Sequence, residues 1–135
     1  MTKLKTVLCG FGSVAAGIAE DKRMAQFIKY QTHAQVLQDH PDYDWCAVID
    51  TDPEARRVAQ EKWGIEQAVG TPAELQGDFD VAVLATGPGP RKKILEGLPC
   101  IKAVIVEKPL GHDLEDTKQF VRYCKARNII SQVNL

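Results

Sequence analysis

Three groups of residues could do chemistry if a fold brought them together. The first is Gly10-Phe11-Gly12-Ser13-Val14-Ala15, a G-x-G-x-x-A run directly after the apolar stretch Leu4–Cys9. In such a run the first glycine permits a tight turn, the second lets main chain approach a pyrophosphate, and the small third residue lets a helix pack against the strand. The free N–H groups and positive end of that helix then face the anion. A glycine turn that merely joins strand to helix would read the same way. Methyltransferase-type glycine loops usually follow an acidic residue, whereas here Cys9 precedes the glycine.

The second group is Asp50 with Thr51, after the apolar residues 46–49. A carboxylate at such a strand end accepts hydrogen bonds from ribose hydroxyls and repels a 2′-phosphate, and Thr51-Asp52 offers no adjacent arginine to receive one, so NAD is favoured over NADP, a preference that Arg56 and Arg57 temper. Asp50 lies 38 residues after Gly12 (50 minus 12), against about 20 in the simple fingerprint. The excess implies an insertion, which we place at residues 21–32. A turn or cap is the plain alternative for Asp50, but Asp52, ahead of Pro53, takes the capping role and leaves Asp50 freer for a ligand.

The third group sits after two more apolar runs. Residues 81–85 lead into Thr86-Gly87-Pro88-Gly89-Pro90, and residues 103–106 lead into Glu107-Lys108-Pro109. Lys108 precedes proline, which favours extended backbone and aims it along the strand ends. It could stabilise an alkoxide or relay a proton, the latter only if burial or nearby cations lower its pKa from about 10.4. An ordinary exposed lysine is the alternative.

These groups are far apart in sequence, so the elements around them must bring them to one edge. Short apolar runs alternate with helix-period segments, which is the pattern of a parallel α/β sheet covered on both faces. Strands are predicted at Leu4–Cys9, 46–49, 81–85, 103–106 and 129–135, with a weaker one at Gln67–Val69. Asp52-Pro53-Glu54 and the capping box Thr71-Pro72-Ala73-Glu74 each start a predicted helix. Another follows Asp113, with Leu114, Val121 and Cys124 inward, and stops at Asn128. Between residues 17 and 40 the expectation is a helix, the irregular insert, and a second helix with Phe27, Tyr30, Ala34 and Leu37 at helical spacing. In a parallel sheet the carboxyl ends of the strands line the ligand crevice, so the glycine loop, Asp50, Thr86 and Lys108 converge.

Composition bounds the rest. The chain has 135 residues, 44% hydrophobic and 26% charged, with 17 basic against 18 acidic side chains, which fits one soluble domain with one core. That balance lacks the basic footprint of a nucleic-acid partner. No membrane span or signal sequence is written at the N-terminus, and the chain reads as cytoplasmic. Cys9, Cys46, Cys100 and Cys124 form no C-x-x-C pair and read as reduced, buried thiols. His33, His40 and His112 have no metal-ligand spacing, so no metal is expected; they read as surface or capping histidines. Arg91-Lys92-Lys93 opens a helix after the Gly-Pro loop, where it could approach an anionic substrate or phosphate, and a solvated face is the default reading.

At these residues the sequence resembles the glucose-fructose oxidoreductase, inositol dehydrogenase and rhizopine-catabolism (Gfo/Idh/MocA) family of nicotinamide-dependent oxidoreductases. Gly10-Phe11-Gly12-Ser13-Val14, Val48-Ile49-Asp50, Ala85-Thr86 with the proline-containing loop, and Val106-Glu107-Lys108-Pro109-Leu110 carry the resemblance, with Val133-Asn134 as the end of a last strand. It covers essentially the whole chain. It implies a doubly wound Rossmann domain over residues 1–135, as an N-terminal fragment lacking the family's second α/β substrate domain. It also implies hydride transfer between NAD(P) and a hydroxyl-bearing carbon of a sugar, cyclitol or nucleotide-sugar. Lys108 would sit beside the nicotinamide and the substrate hydroxyl, with Glu107 and the Ala85-Thr86-Gly87-Pro88 loop flanking the nicotinamide ribose. The loop departs from the family's Thr-Pro-Asn and following histidine, reading Thr86-Gly87-Pro88-Gly89-Pro90-Arg91. By the same resemblance the substrate would be met through the further domain, the full-length protein would be a homo-oligomer, and the isolated chain would be inactive. A noncatalytic NAD(H)-binding sensor or scaffold module is the alternative, and it needs no Lys108.

Overall fold

The computed structural model describes residues 2–12, 15, 16, 23 and 26–134. Ser13, Val14, the helix expected from residue 17 and part of the insert lie outside the described residues. Six strands form one parallel sheet: β1 (Leu4–Cys9), β2 (Tyr43–Ile49), β3 (Gln67–Val69), β4 (Val81–Leu84), β5 (Ala103–Glu107) and β6 (Ile130–Asn134). Their order is β3-β2-β1-β4-β5-β6, all neighbours parallel. The chain therefore winds outward from β1 in one direction, returns, and winds outward in the other. The reversal falls between β1 and β4, the switch point where open α/β sheets hold their ligands.

The continuous apolar strands are explained by burial on both faces. Side chains alternate across a strand, so Val7 and Cys9 join one layer with Ile49, Leu84 and Val106, while Leu8, Val48 and Val83 join the other. The first layer is closed by α3 (Arg91–Glu96) and α4 (Leu114–Ala126), through Ile94, Leu95, Phe120 and Cys124. The second is closed by α1 (His33–Asp39) and α2 (Pro53–Trp63), through Ala34, Leu37 and Ala59. Asp52 caps α2 by accepting from the Glu54 N–H at 2.9 Å, and Gly64 ends it at φ 68°. Asp113 caps α4 through the Asp116 N–H at 2.8 Å, and Asn128 follows it at φ 55°.

Several expectations need correction. The box at Thr71–Glu74 forms, with Glu74 accepting from the Thr71 and Gly70 N–H groups, but it starts only a 3₁₀ turn, Pro72–Glu74. Leu75 turns extended toward the core, and Gly77 has φ 83°. Phe27 and Tyr30 do not continue α1: both are exposed, and the helix begins at the Thr32 cap. In α4 the inward residues are Phe120 and Cys124, four apart on one face, whereas Leu114 is exposed. Six residues from Phe120, Leu114 is rotated about 120° around the helix. Cys100 is exposed, unlike the other three thiols.

His33 also departs from its expected surface role. It is largely buried, and its Nε2 lies 2.6 Å from Glu107 Oε1, the same oxygen that accepts from Asn134 Nδ2 at 2.6 Å. One carboxylate thus ties α1 to the ends of β5 and β6. No sequence spacing signals this, because the partners are 74 positions apart. Burial of Glu107 raises its pKa, but the Asn134 and His33 hydrogen bonds outweigh that and the net shift is downward. Among the described residues no helix is long and apolar enough to cross a membrane, and no group of His, Cys, Asp or Glu could hold a metal ion.

Two predictions follow from this packing and pairing. Phe120→Ala should cost about 3–5 kcal/mol through the cavity it leaves, whereas Asp113→Ala should cost only about 0.5–2 kcal/mol as a lost cap; urea titration of the two variants checks the ranking. Because the folded pKa of Glu107 is lowered, its contribution is fully present above its ordinary value of 4.5 and is lost as pH falls through the lower folded value. Glu107→Gln should therefore cost stability at pH 7 and progressively less below about pH 4, as read from thermal melts of both proteins across that range.

Candidate functional site

The carboxyl end of β1 opens into Gly10, whose φ of 87° is left-handed and whose N–H donates to the Ile49 carbonyl at 2.8 Å. A Cβ there would lie 3.0 Å from Ala85 carbonyl carbon and 3.0 Å from Thr86 Cγ2. Glycine is thus required twice, by conformation and by the passage of the β4 loop across it. Gly12 has open space around its missing Cβ, which leaves main chain accessible. The turn beyond it closes with the Ala16 N–H donating to Gly12 O at 2.9 Å, and Ala15 is buried, as the small third residue of the fingerprint should be.

Asp50 lies at the end of β2 and faces this loop. Its Oδ2 accepts from the Phe11 N–H at 2.7 Å and its Oδ1 from the Asp52 N–H at 2.8 Å. Both oxygens therefore already hold main-chain N–H groups, although Asp52 and not Asp50 caps the helix. An ionised carboxylate offers about four acceptor positions, so each oxygen keeps capacity for a ribose hydroxyl. The Phe11 side chain points into the core instead, with its ring centroid 6.3 Å from Trp45 and 6.5 Å from Trp63. Arg56 reaches back to the same strand end, donating to Asp50 O at 2.8 Å and Thr51 O at 3.0 Å.

Gly10, Asp50, Thr51 and Thr86 share a cavity of about 310 Å³ that Pro72 and Lys93 also line. Thr86, one of the lining residues, carries the one buried side-chain polar atom without a hydrogen-bond partner among the described residues, Oγ1. A buried hydroxyl left unpaired costs about 1–3 kcal/mol, and an incoming acceptor or donor would relieve that cost. Gly10 with its close main-chain approach, the spare acceptor positions of Asp50 and the Thr86 side chain on the same cavity are groups that could hold a dinucleotide. Ala85 is held to β1 through its N–H to Cys9 O at 2.8 Å, while Gly87 and Pro88 continue the loop outward.

Lys108 is exposed at the end of β5, next in the sheet to β4, and its peptide bond to Pro109 is cis. Glu107 turns away from the Thr86 cavity, toward His33 and Asn134. The structure thus gathers the glycine loop, Asp50, Thr51 and Thr86 around one cavity and sets Lys108 on the neighbouring strand end. Arg91 is the residue sequence reasoning missed. Far from a solvated face, it is 1% exposed, and its guanidinium bonds the carbonyls of Thr86, Pro109 and Leu110. Burial pulls its pKa down, and the charges of Glu107 and Asp116 act the other way. Its place in a Lys-rich triplet hid it, although the first helical position after a Gly-Pro loop was a signal that it faces the strand ends. Lys92, by contrast, pairs with Glu96 on the surface.

Comparison with known proteins gives the family and the fold. Residues 25–135 match the Gfo/Idh/MocA model, described as an oxidoreductase family with an NAD-binding Rossmann fold. D-apiose dehydrogenase of Rhizobium rhizogenes is 30% identical over 132 residues, which is 96% of this chain and 34% of that protein. An oxidoreductase from Agrobacterium radiobacter, solved with NAD+, L-tartaric acid and magnesium, superposes with a TM-score of 0.74 at 28% identity, covering 98% of this chain and 35% of its own. Myo-inositol 2-dehydrogenase from Lactobacillus plantarum shares the fold, with a TM-score of 0.71 at 18% identity over 98% of this chain and 36% of that one. The chain thus spans about a third of the length of the relatives it matches. With its strand order, its glycine loop and its Glu107-Lys108-Pro109 strand end, the chain belongs to the Gfo/Idh/MocA oxidoreductase family and carries that family's NAD-binding Rossmann fold.

Proposed function

We propose that this chain is the NAD-binding domain of a dehydrogenase that oxidises a hydroxyl-bearing carbon of a sugar, cyclitol or nucleotide-sugar. The observation that carries this reading is the meeting of Gly10, Asp50 and Thr86, whose buried hydroxyl has no partner, around one cavity, with Lys108 at the adjoining strand end. The substrate class is supported by the relatives, a D-apiose dehydrogenase among them.

In this reading the loop from Gly10 through Phe11, Gly12, Ser13 and Val14 receives the pyrophosphate, where main chain can approach closely. Asp50 accepts from the adenine ribose hydroxyls while keeping Phe11 and Asp52 in place, with Thr51 beside it. Its negative charge disfavours a 2′-phosphate, and Arg56 is already engaged by two carbonyls, so NAD is preferred to NADP. Ala85, Thr86, Gly87 and Pro88 flank the nicotinamide ribose, with Glu107 stiffening the neighbouring strand end. NAD, when bound, supplies the hydride acceptor. Lys108 would act on the substrate hydroxyl, either holding developing alkoxide charge or moving its proton. A further domain completes the substrate pocket, and the chain alone binds cofactor without turning over.

Two measurements test this. Calorimetric titration should show NAD and NADH binding more tightly than NADP and NADPH, with Asp50→Ala weakening NAD by about tenfold or more, the scale of a charge-assisted hydrogen bond; absence of NAD binding by the unaltered chain would sink the proposal. Thr86→Val should split stability from binding. Removing the unpaired hydroxyl should leave the ligand-free protein as stable or more stable by about 1 kcal/mol, yet lower NAD affinity; unchanged affinity would remove Thr86 from the site.

A further inference from the structure

The parallel ladder between β4 and β5 ends at the pair Leu84 and Val106. Beyond it the chain runs on to Thr86 on one side and to Lys108, Pro109 and Leu110 on the other, with no strand pairing left to fix one loop against the other. Arg91 fills that gap. Its Nε and Nη2 donate to Thr86 O at 3.2 and 2.6 Å, and its Nη1 donates to Pro109 O at 2.6 Å and Leu110 O at 3.3 Å. No carboxylate lies within ion-pairing distance of it among the described residues. A fully buried cation is thus spent on three main-chain carbonyls, two strand ends apart.

We infer that Arg91 is a positioning residue that locks the Thr86 loop to the Lys108 loop, so that the groups flanking the nicotinamide end of the cofactor stay in register. The inference rests on the NAD reading above and deepens it. Only a planar fork with donors on more than one edge can serve both loops together. A lysine ammonium in the same place is a point charge that could reach one carbonyl group but not hold the angle between them. Register matters here because transfer between a bound cofactor and a substrate tolerates little misplacement, about 1 Å being enough to cost a hundredfold. Arg91 itself is sealed beneath the loops and acts through Thr86 and Lys108. The adenosine end of the cavity, built by Asp50, Thr51 and the glycine loop, does not depend on it.

This division gives a test that general destabilisation would not mimic. ADP carries the adenosine and both phosphates of NAD but neither the nicotinamide ribose nor the nicotinamide, so the ratio of NAD to ADP affinity isolates the end that Arg91 sets. Arg91→Lys should keep ADP binding and lose about tenfold of the advantage of NAD over it, the scale of a lost charge-assisted hydrogen bond. An unchanged ratio, whether both affinities fall together or neither does, overturns the inference. Should Arg91→Lys bind neither ligand, Arg91→Ala titrated with guanidinium ion decides. Recovery of the NAD advantage supports the inference; recovery of ADP binding alone, or no recovery, overturns it. If the unaltered chain binds neither ligand, the NAD reading itself has failed, a result distinct from all of these; if it binds both equally, the positioning role is overturned while the adenosine site stands.

Discussion

Everything at the carboxyl edge is built around a point where two main chains touch. The bare backbone of Gly10 lets the end of β4 pass within van der Waals contact, and a single methyl group there would push against Ala85 and Thr86. That contact fixes where Thr86 stands relative to the glycine loop. From it the rest is set outward in both directions: Asp50 pins the loop from the β2 side through the Phe11 N–H, and Arg91 carries the position of Thr86 across to Pro109 and Leu110. The cavity is a consequence of this chain of references. Its walls come from four separate stretches of sequence, and none of them defines it alone.

The fastening is mostly between side chains and main chain. Asp50, Arg56 and Arg91 all spend their charge on peptide N–H or carbonyl groups. Such bonds hold the path of a loop whatever side chains it carries, so the strand ends can vary in sequence while keeping their course. They are also less sensitive to salt than exposed ion pairs of the kind seen between Lys102 and Asp80.

The fold was legible because each level of signal agreed with the next. Apolar runs such as Leu4–Cys9 had to be buried on both faces, the caps at Asp52 and Asp113 were local, and the order of elements required crossover helices. Sequence also placed Gly10, Asp50, Thr86 and Lys108 at one edge, since that follows from strand direction alone. It could not supply what depends on distance through space. The pairing of His33 with Glu107 crosses 74 positions, and Arg91 sat in a run of three cations whose composition suggests water. The Thr71 box misled for a different reason: the cap is genuine, but the residues after it have no apolar stripe to sustain a helix, and Leu75 is drawn into the core instead.

The unequal placement of the four thiols turns the chain into its own folding gauge. Cys9, Cys46 and Cys124 are all sealed in one and the same core layer, and burial pushes the Cys9 thiol up to about 12. Cys100 alone stands in solvent, on the connection that leads from α3 into β5. An alkylating reagent offered to native protein therefore has one mark to leave, and each further mark counts molecules whose sheet has opened. The same asymmetry gives a single attachment point for a reporter group at the amino end of β5, the end of the strand opposite Lys108.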